Sequence, residues 1–197
     1  MGDLEGLREE IKRMCLAGNH YSMSVWSHVD NVASNSAILA EMFGGDIDLA
    51  RPMGVSHDVG AIVFGRSGEN GEGHNVTGAR MIAPILQRHK YSLLEIVQIQ
   101  YGIIVHRGSD QNIIRKTLES RTLATADAWD HFGNMRELWN VGQRDLHKSP
   151  EDTYVWLIRK LQNDWSKVML EARDLLLPDR DRARDILERL HAGIPVS

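Results

Sequence analysis

DLARPMGVSHDVGA, residues 48–61, decides how the rest of the chain is read. Leu49, Met53 and His57 fall four residues apart, so on a helix they share one apolar face. Asp58 stands about 100° further round. A carboxylate beside a core histidine is costly to bury unless something compensates its charge, and a bound metal cation would do so. A His-Asp dipeptide arises readily by chance. What counts is whether other metal-binding side chains stand at the core ends of other helices.

The chain reads as helix after helix. Residues 3–17 are amphipathic, with Leu4, Leu7, Ile11 and Met14 on one side, and Gly18-Asn19 is the expected stop. Residues 24–43 carry the stripe Val25, Val29, Val32, Ser36, Leu39 and Phe43, and Gly44-Gly45 ends it. Asp46 is the expected N-cap of the helix that holds His57 and Asp58. GRSGENGEG, residues 65–73, must be a loop: either a surface connection or a rim over a site. No GKS or GKT follows it, which excludes a P-loop.

Further helices are expected over 74–89, 92–106 and 116–131, with a short one over 135–146. A long helix over 151–176 should end before Pro178, followed by a charged helix over 179–191. No strand hairpin or internal repeat is visible. The fold class is all-α, a single-domain helical bundle over 1–197. Residues 150–197 form a C-terminal helical extension, expected to pack on the core or on a second subunit of a homodimer.

Composition narrows the classes. The chain has 197 residues, 42% hydrophobic and 25% charged, with a formal net charge of −4. Basic residues do not cluster, which argues against an extended nucleic-acid groove and leaves room for one nucleotide at a charged metal site. No apolar run is long enough to span a membrane. The acidic MGDLEGLREE start argues against a signal peptide, and MGDLEG lacks the Ser or Thr that a myristoylation site wants. The single cysteine, Cys15, reads as a small core residue, and one cysteine without a partner suits the cytoplasm.

The ligand-bearing side chains fall on core faces. His28 lies inside the 24–43 stripe, His57 and Asp58 follow it, His74 opens the next helix, and His106 closes the face of Ile96, Ile99 and Ile103. Asp127 sits one turn after Leu123. Each histidine alone reads first as a hydrogen-bonded core residue. Together the six have no obvious cationic partner, because Lys and Arg lie mostly on other faces. Imidazole with carboxylate suits Zn, Fe, Mn or Co.

The order His, His-Asp, His, His, Asp resembles the HD-domain superfamily of metal-dependent phosphohydrolases. HDVG is close to the HDIG form of that family's signature, and HVDNVASNSAILAEMFGGDIDLARPMGVSHDVG, HNVTGARMIAPIL and TLESRTLATADAWDHFG are similar to its helices in order. The resemblance covers residues 20–135. It implies a first divalent metal on His28, His57, Asp58 and Asp127, and a second on His74 and His106 with Asp58 bridging both. The implied cofactors are one or two ions of Mn, Fe, Co, Ni, Zn or Mg, and the implied partner is a small phosphoester, such as a nucleotide.

The departures matter as well. Ala61 stands where cyclic-dinucleotide phosphodiesterases carry Lys, no GYP motif follows, and the acidic pair of guanosine-polyphosphate hydrolases is absent. Asn31 replaces an Arg common three residues after the first histidine, and Arg107 replaces a further histidine of some binuclear relatives. Arg107 is therefore either a catalytic contact to a substrate phosphate or a solvated helix end. Asp130 is expected to support the ligands or cap its helix, and His131 to be exposed. Glu69 and Glu72 are an acid–base pair or, more commonly, solvated loop carboxylates. Three functions follow: a metal-dependent phosphohydrolase of a nucleotide-like phosphoester, an HD-type diiron oxygenase, or a nucleotide-binding regulatory module without turnover.

Overall fold

Val25, Val29, Val32, Ser36 and Leu39 are all buried, and their helical spacing makes α2 (Ser24–Phe43) the helix on which the others assemble. The structure, a computed structural model, describes residues 2–17, 24–107 and 113–196. The expected stop at Gly18-Asn19 lies outside them. Before α2 comes α1 (Leu4–Ala17), and after it α3 (Ile47–Ser56), α4 (Val59–Phe64), α5 (His74–Arg88), α6 (Leu93–Val105) and α7 (Leu118–Gly133). The chain continues with α8 (Met135–Asn140), a π turn over Val141–Asp145, α9 (Pro150–Lys167) and α10 (Arg173–His191). The described residues contain no strand, and the all-α expectation holds. None of these helices is long and apolar enough to cross a membrane.

Local chemistry sets most of the boundaries. Asp46 caps α3 by accepting from the Asp48 amide at 2.8 Å. Ser92 and Glu95 close a capping box on α6, and Ser149 with Pro150 opens α9. Cys15 is buried in the core, as expected. The apolar interior is one cluster to which α1, α2, α3, α5, α6, α7, α9 and α10 all contribute.

Three sequence expectations need correction. The helix carrying the His-Asp pair ends at Ser56: His57 is its C-cap, and Asp58 sits in a turn (φ −106°, ψ 13°) before α4 begins. The helix expected over 151–176 stops at Lys167, and a short turn over Leu170–Ala172 leads into α10. Pro178 does not end a helix but lies inside α10. A proline there costs about 3 kcal/mol. Leu176, Ala183 and Leu187, buried on either side of it, supply the packing that holds the helix together.

Two glycines allow the close approaches on which the site depends. A Cβ on Gly54 would lie 2.4 Å from Ala33 Cα, so α3 can meet α2 only because this side chain is missing. A Cβ on Gly60 would lie 2.2 Å from the His74 carbonyl and 2.6 Å from the Gly78 amide nitrogen, so α4 lies directly on α5. Both neighbours are backbone and cannot rotate away. Gly60→Ala should therefore push α4 off α5, and overpacking of this kind costs about 1–3 kcal/mol. The expected result is a lower melting temperature together with weaker metal binding, because Asp58 and His74 ride on the two displaced helices. Unchanged melting and metal affinity would refute this account of the packing.

Candidate metal centre

Six side chains chosen from the sequence meet at one point. His28 projects from α2, His57 caps α3, and Asp58 follows it in the turn. His74 is the first residue of α5, reached through Gly73 at φ 94°, a conformation few other residues adopt. His106 caps α6, and Asp127 lies on α7.

The orientation of the rings is fixed from behind. His57 Nδ1–H donates to the Gly54 carbonyl at 2.8 Å, and His106 Nδ1–H to the Ile103 carbonyl at 2.6 Å. His74 Nδ1–H donates to the Arg66 carbonyl at 3.1 Å, and His28 Nδ1–H to Asp130 Oδ2 at 2.6 Å. Carbonyls and carboxylates only accept, so these contacts place the proton on Nδ1 in every case and leave an Nε2 lone pair facing inward. Asp130 is in turn held by the Asn31 amide at 2.9 Å, which gives the asparagine found in place of arginine a role.

The inward atoms form two groups around Asp58. Its Oδ2 is 3.8 Å from His28 Nε2 and 3.6 Å from His57 Nε2. Its Oδ1 is 3.3 Å from His74 Nε2 and 3.8 Å from His106 Nε2. Asp127 Oδ1 completes the first group, 3.4 Å from His28 Nε2 and 3.9 Å from His57 Nε2.

The donor set fits a cation. His28 and His57 point Nε2 at each other across 3.1 Å, and both rings already spend their proton on Nδ1. Two lone pairs at that distance require a positive charge between them. A proton on His28 would relieve that one contact and leave the His74–His106–Asp58 group unserved. Nitrogens bound side by side to one ion at about 2.0–2.1 Å stand roughly 3 Å apart. Three triplets offer ligand atoms at mutually compatible spacing: His28, His57 and Asp58; Asp58, His74 and His106; and His28, Asp127 and His131.

A family model described as HD domain matches residues 25–131, more than half of the chain. The chain belongs to the HD-domain family. The crystal structure of Bacillus subtilis YpgQ is similar to this HD-domain chain with a TM-score of 0.66 at 14% identity, covering 98% of this chain and 97% of that one. The crystal structure of a predicted HD superfamily hydrolase from an uncultured Thermotogales bacterium follows at a TM-score of 0.50 and 19% identity, covering 78% and 88%. Likeness at these identities speaks for the fold. No curated protein matches the chain.

This HD-domain centre contains charges that the sequence pattern does not announce. The six ligand positions were expected to lack a cationic partner. Instead Lys167, from the last turn of α9, is buried in an ion pair with Asp127 Oδ2. Lys167 also reaches Asp164 Oδ1 at 3.1 Å, and Lys160 reaches Asp164 Oδ2 at 3.1 Å. His131, expected to be exposed, stands 3.4 Å from Asp127 Oδ1 and stacks on His28 with ring centroids 5.1 Å apart. The signal for Asp164 was present in the sequence: it continues the buried Leu157–Leu161 stripe of α9 at helical spacing. Lysines on a helix read by default as solvated, so nothing drew attention to Lys160 or Lys167.

Other expected residues fall at the edge. Arg107 Nη1 lies 3.4 Å from Asn75 Oδ1 at the start of α5, and Arg115 donates to the Arg107 carbonyl at 2.7 Å. Glu69 and Glu72 both pair with Arg80 on the exposed side of α5, Glu72 at 3.0 Å. That contact fastens the 65–73 loop to α5.

Electrostatics in the HD-domain centre follow from burial and mutual attraction. Burial works to raise the Asp58 carboxyl, but His57, His74, His28 and His106 outweigh it and hold it well below the usual carboxylate range. Burial, with His57 beside it, pushes His106 down to about 3. Burial also lowers His57. For His28, burial is outweighed by the Asp130 hydrogen bond and the carboxylates, and its pKa rises.

His106 and His57 are thus neutral in the fold at pH values where the unfolded chain takes up their protons. Their contribution to stability is complete above about pH 6.5 and is lost as pH falls toward their folded values. Each tenfold difference in proton affinity between the folded and unfolded chain is worth about 1.4 kcal/mol. Metal-free protein should therefore melt at progressively lower temperature between pH 7 and pH 4. A flat melting profile over that range would contradict the burial of neutral imidazoles described above.

Proposed function

We propose that this chain is a metal-dependent phosphohydrolase of a small, nucleotide-like phosphoester, with one or two divalent ions at the centre described above. The observation that carries the reading is Asp58. Its two oxygens face two separate histidine pairs, at 3.6 and 3.8 Å on one side and 3.3 and 3.8 Å on the other. A carboxylate so placed suits two cations better than one. The neighbour described as a predicted HD superfamily hydrolase lends support for hydrolytic chemistry.

In this reading His28, His57, Asp58 and Asp127 would hold the first ion, and His74, His106 and Asp58 the second. Bound there, divalent ions would supply Lewis acidity toward a phosphoryl oxygen and lower the pKa of water. The protein's own residues do the rest. Asp130 and the three backbone carbonyls hold every ring in its ligating tautomer. Lys167 neutralises the outer oxygen of Asp127 and leaves the inner one for an ion. Lys160, its pKa lowered chiefly by burial and further by the Lys167 and Arg66 charges, offers positive potential to a phosphate. Arg107 is the second candidate contact, its guanidinium lying beside Gly73 and Asn75.

The test is elemental analysis of purified protein combined with a panel of phosphomonoesters and phosphodiesters under Mn, Co, Ni and Mg. Bound metal with phosphate release is expected. Bound iron with oxygen uptake and no phosphate release would replace this reading with oxygenase chemistry. Binding of a nucleotide that stays intact would replace it with a regulatory role.

A further inference from the structure

The fifth histidine of the centre is wired in the opposite sense to the other four. His28, His57, His74 and His106 each spend their Nδ1–H on an acceptor and turn an Nε2 lone pair inward. His131 Nδ1 instead faces the ammonium of Lys160 at 3.0 Å. An ammonium has donors and no acceptor, so Nδ1 must be the acceptor in that contact. Asp164 Oδ2 lies 3.1 Å from the same nitrogen and is itself paired with the Lys160 ammonium at 3.1 Å. The ring proton therefore resides on Nε2, the atom that points at the centre, 3.4 Å from Asp127 Oδ1.

The position of His131 gives that proton a use. The side chains of Asp58, His28, His131 and Lys160 keep 23%, 18%, 14% and 14% of their exposure, whereas His57 is closed off at 0%. His131 and Lys160 thus share with Asp58, His28 and His74 the part of the centre that solvent reaches. Resting on the phosphohydrolase reading, we propose that His131 is not a metal ligand but the N–H donor of the centre, giving its Nε2 hydrogen to an oxygen of the bound phosphoester. Lys160 is the positioning residue that fixes this tautomer, and Asp164 anchors Lys160. α9, outside the residues matched by the family model, thereby adds a substrate contact to the HD-domain core.

The experiment uses full-length, zinc-loaded protein and inorganic phosphate as the probe. Long-range nitrogen–proton NMR of the imidazoles should show His131 as the Nε2–H tautomer, its signals assigned by their loss in His131→Gln. Lys160→Met should convert it to the Nδ1–H form, with Asp164 as the new acceptor. His131→Leu should keep the full metal content and bind phosphate about tenfold more weakly, the loss of one hydrogen bond to a charged group. His131→Gln, which retains an N–H donor, should recover part of that affinity. An Nδ1–H tautomer in the wild type, a metal equivalent lost in His131→Leu, or phosphate binding that is absent from the wild type or unchanged in His131→Leu would each overturn the proposal. None of these readouts needs turnover. A protein that binds phosphate as described but hydrolyses no phosphoester would refute the hydrolase reading alone.

Discussion

Asp58→Asn is expected to retain the helical fold, lose at least one metal equivalent per chain and reduce phosphoester turnover about a thousandfold or more, the scale of losing a metal's Lewis acidity. The substitution preserves shape and removes one charge. In the native centre four imidazoles converge on Asp58, at 3.3 to 3.8 Å, and hold its carboxyl ionised against the cost of burial. An amide offers one oxygen acceptor in place of two and no negative charge, and cannot offset the repulsion between two dications. Asp130→Ala should do far less, because Asp130 reaches the centre only through His28 Nδ1, and loss of such supporting partners costs roughly 10–100-fold in affinity or activity. His57→Ala should release more metal than His74→Ala, since His57 belongs to the group that Asp127 completes. Metal stoichiometry and turnover, with circular dichroism to confirm folding, decide the matter. Full metal content and full activity in Asp58→Asn would refute the bridging role.

The helices and the ligand positions were legible for the same reason. The 24–43 stripe and the 92–106 face are periodic, and His28 and His106 interrupt them at positions that only a core residue occupies. Periodicity does not report on a break inside an apolar run. Leu49, Met53 and His57 keep helical spacing up to the last residue, so the end of α3 at Ser56 shows only in the backbone, where Asp58 leaves the helical conformation before α4 begins. Pro178 failed as a boundary because a local rule met buried leucines on both sides. The α9 charges were illegible for a different reason. Lys167 is buried because Asp127 is across from it, and that pairing joins residues 40 apart in sequence. Charge complementarity across the fold leaves no period in the chain. The same holds for His131, whose partners come from α2 and α9 as well as from its own helix.

Lys167→Met should be among the most damaging single changes to stability. Lys167 is buried and its ammonium contacts two carboxylates, Asp127 Oδ2 and, at 3.1 Å, Asp164 Oδ1. Burial works against its charge, but the two carboxylates outweigh that and raise its pKa. Methionine fills most of the same volume, so little packing is lost. What is lost is the cation, leaving Asp127 buried with His28, His57 and His131 near its inner oxygen. Removing one partner of a buried ion pair costs about 3–5 kcal/mol. In a chain of this length that corresponds to a fall in melting temperature of about 10 °C. A divalent ion on the inner oxygen of Asp127 would replace part of the missing charge. The loss should therefore be largest in EDTA and smaller with metal present. Adding Asp127→Asn removes the orphaned carboxylate, so the double variant should melt above Lys167→Met alone in the metal-free state. Calorimetry of the wild type, Lys167→Met, Asp127→Asn and the double variant, with and without metal, makes the comparison. If Lys167→Met melted like the wild type in EDTA, the ion pair would contribute nothing, and Asp127 would have another source of compensation.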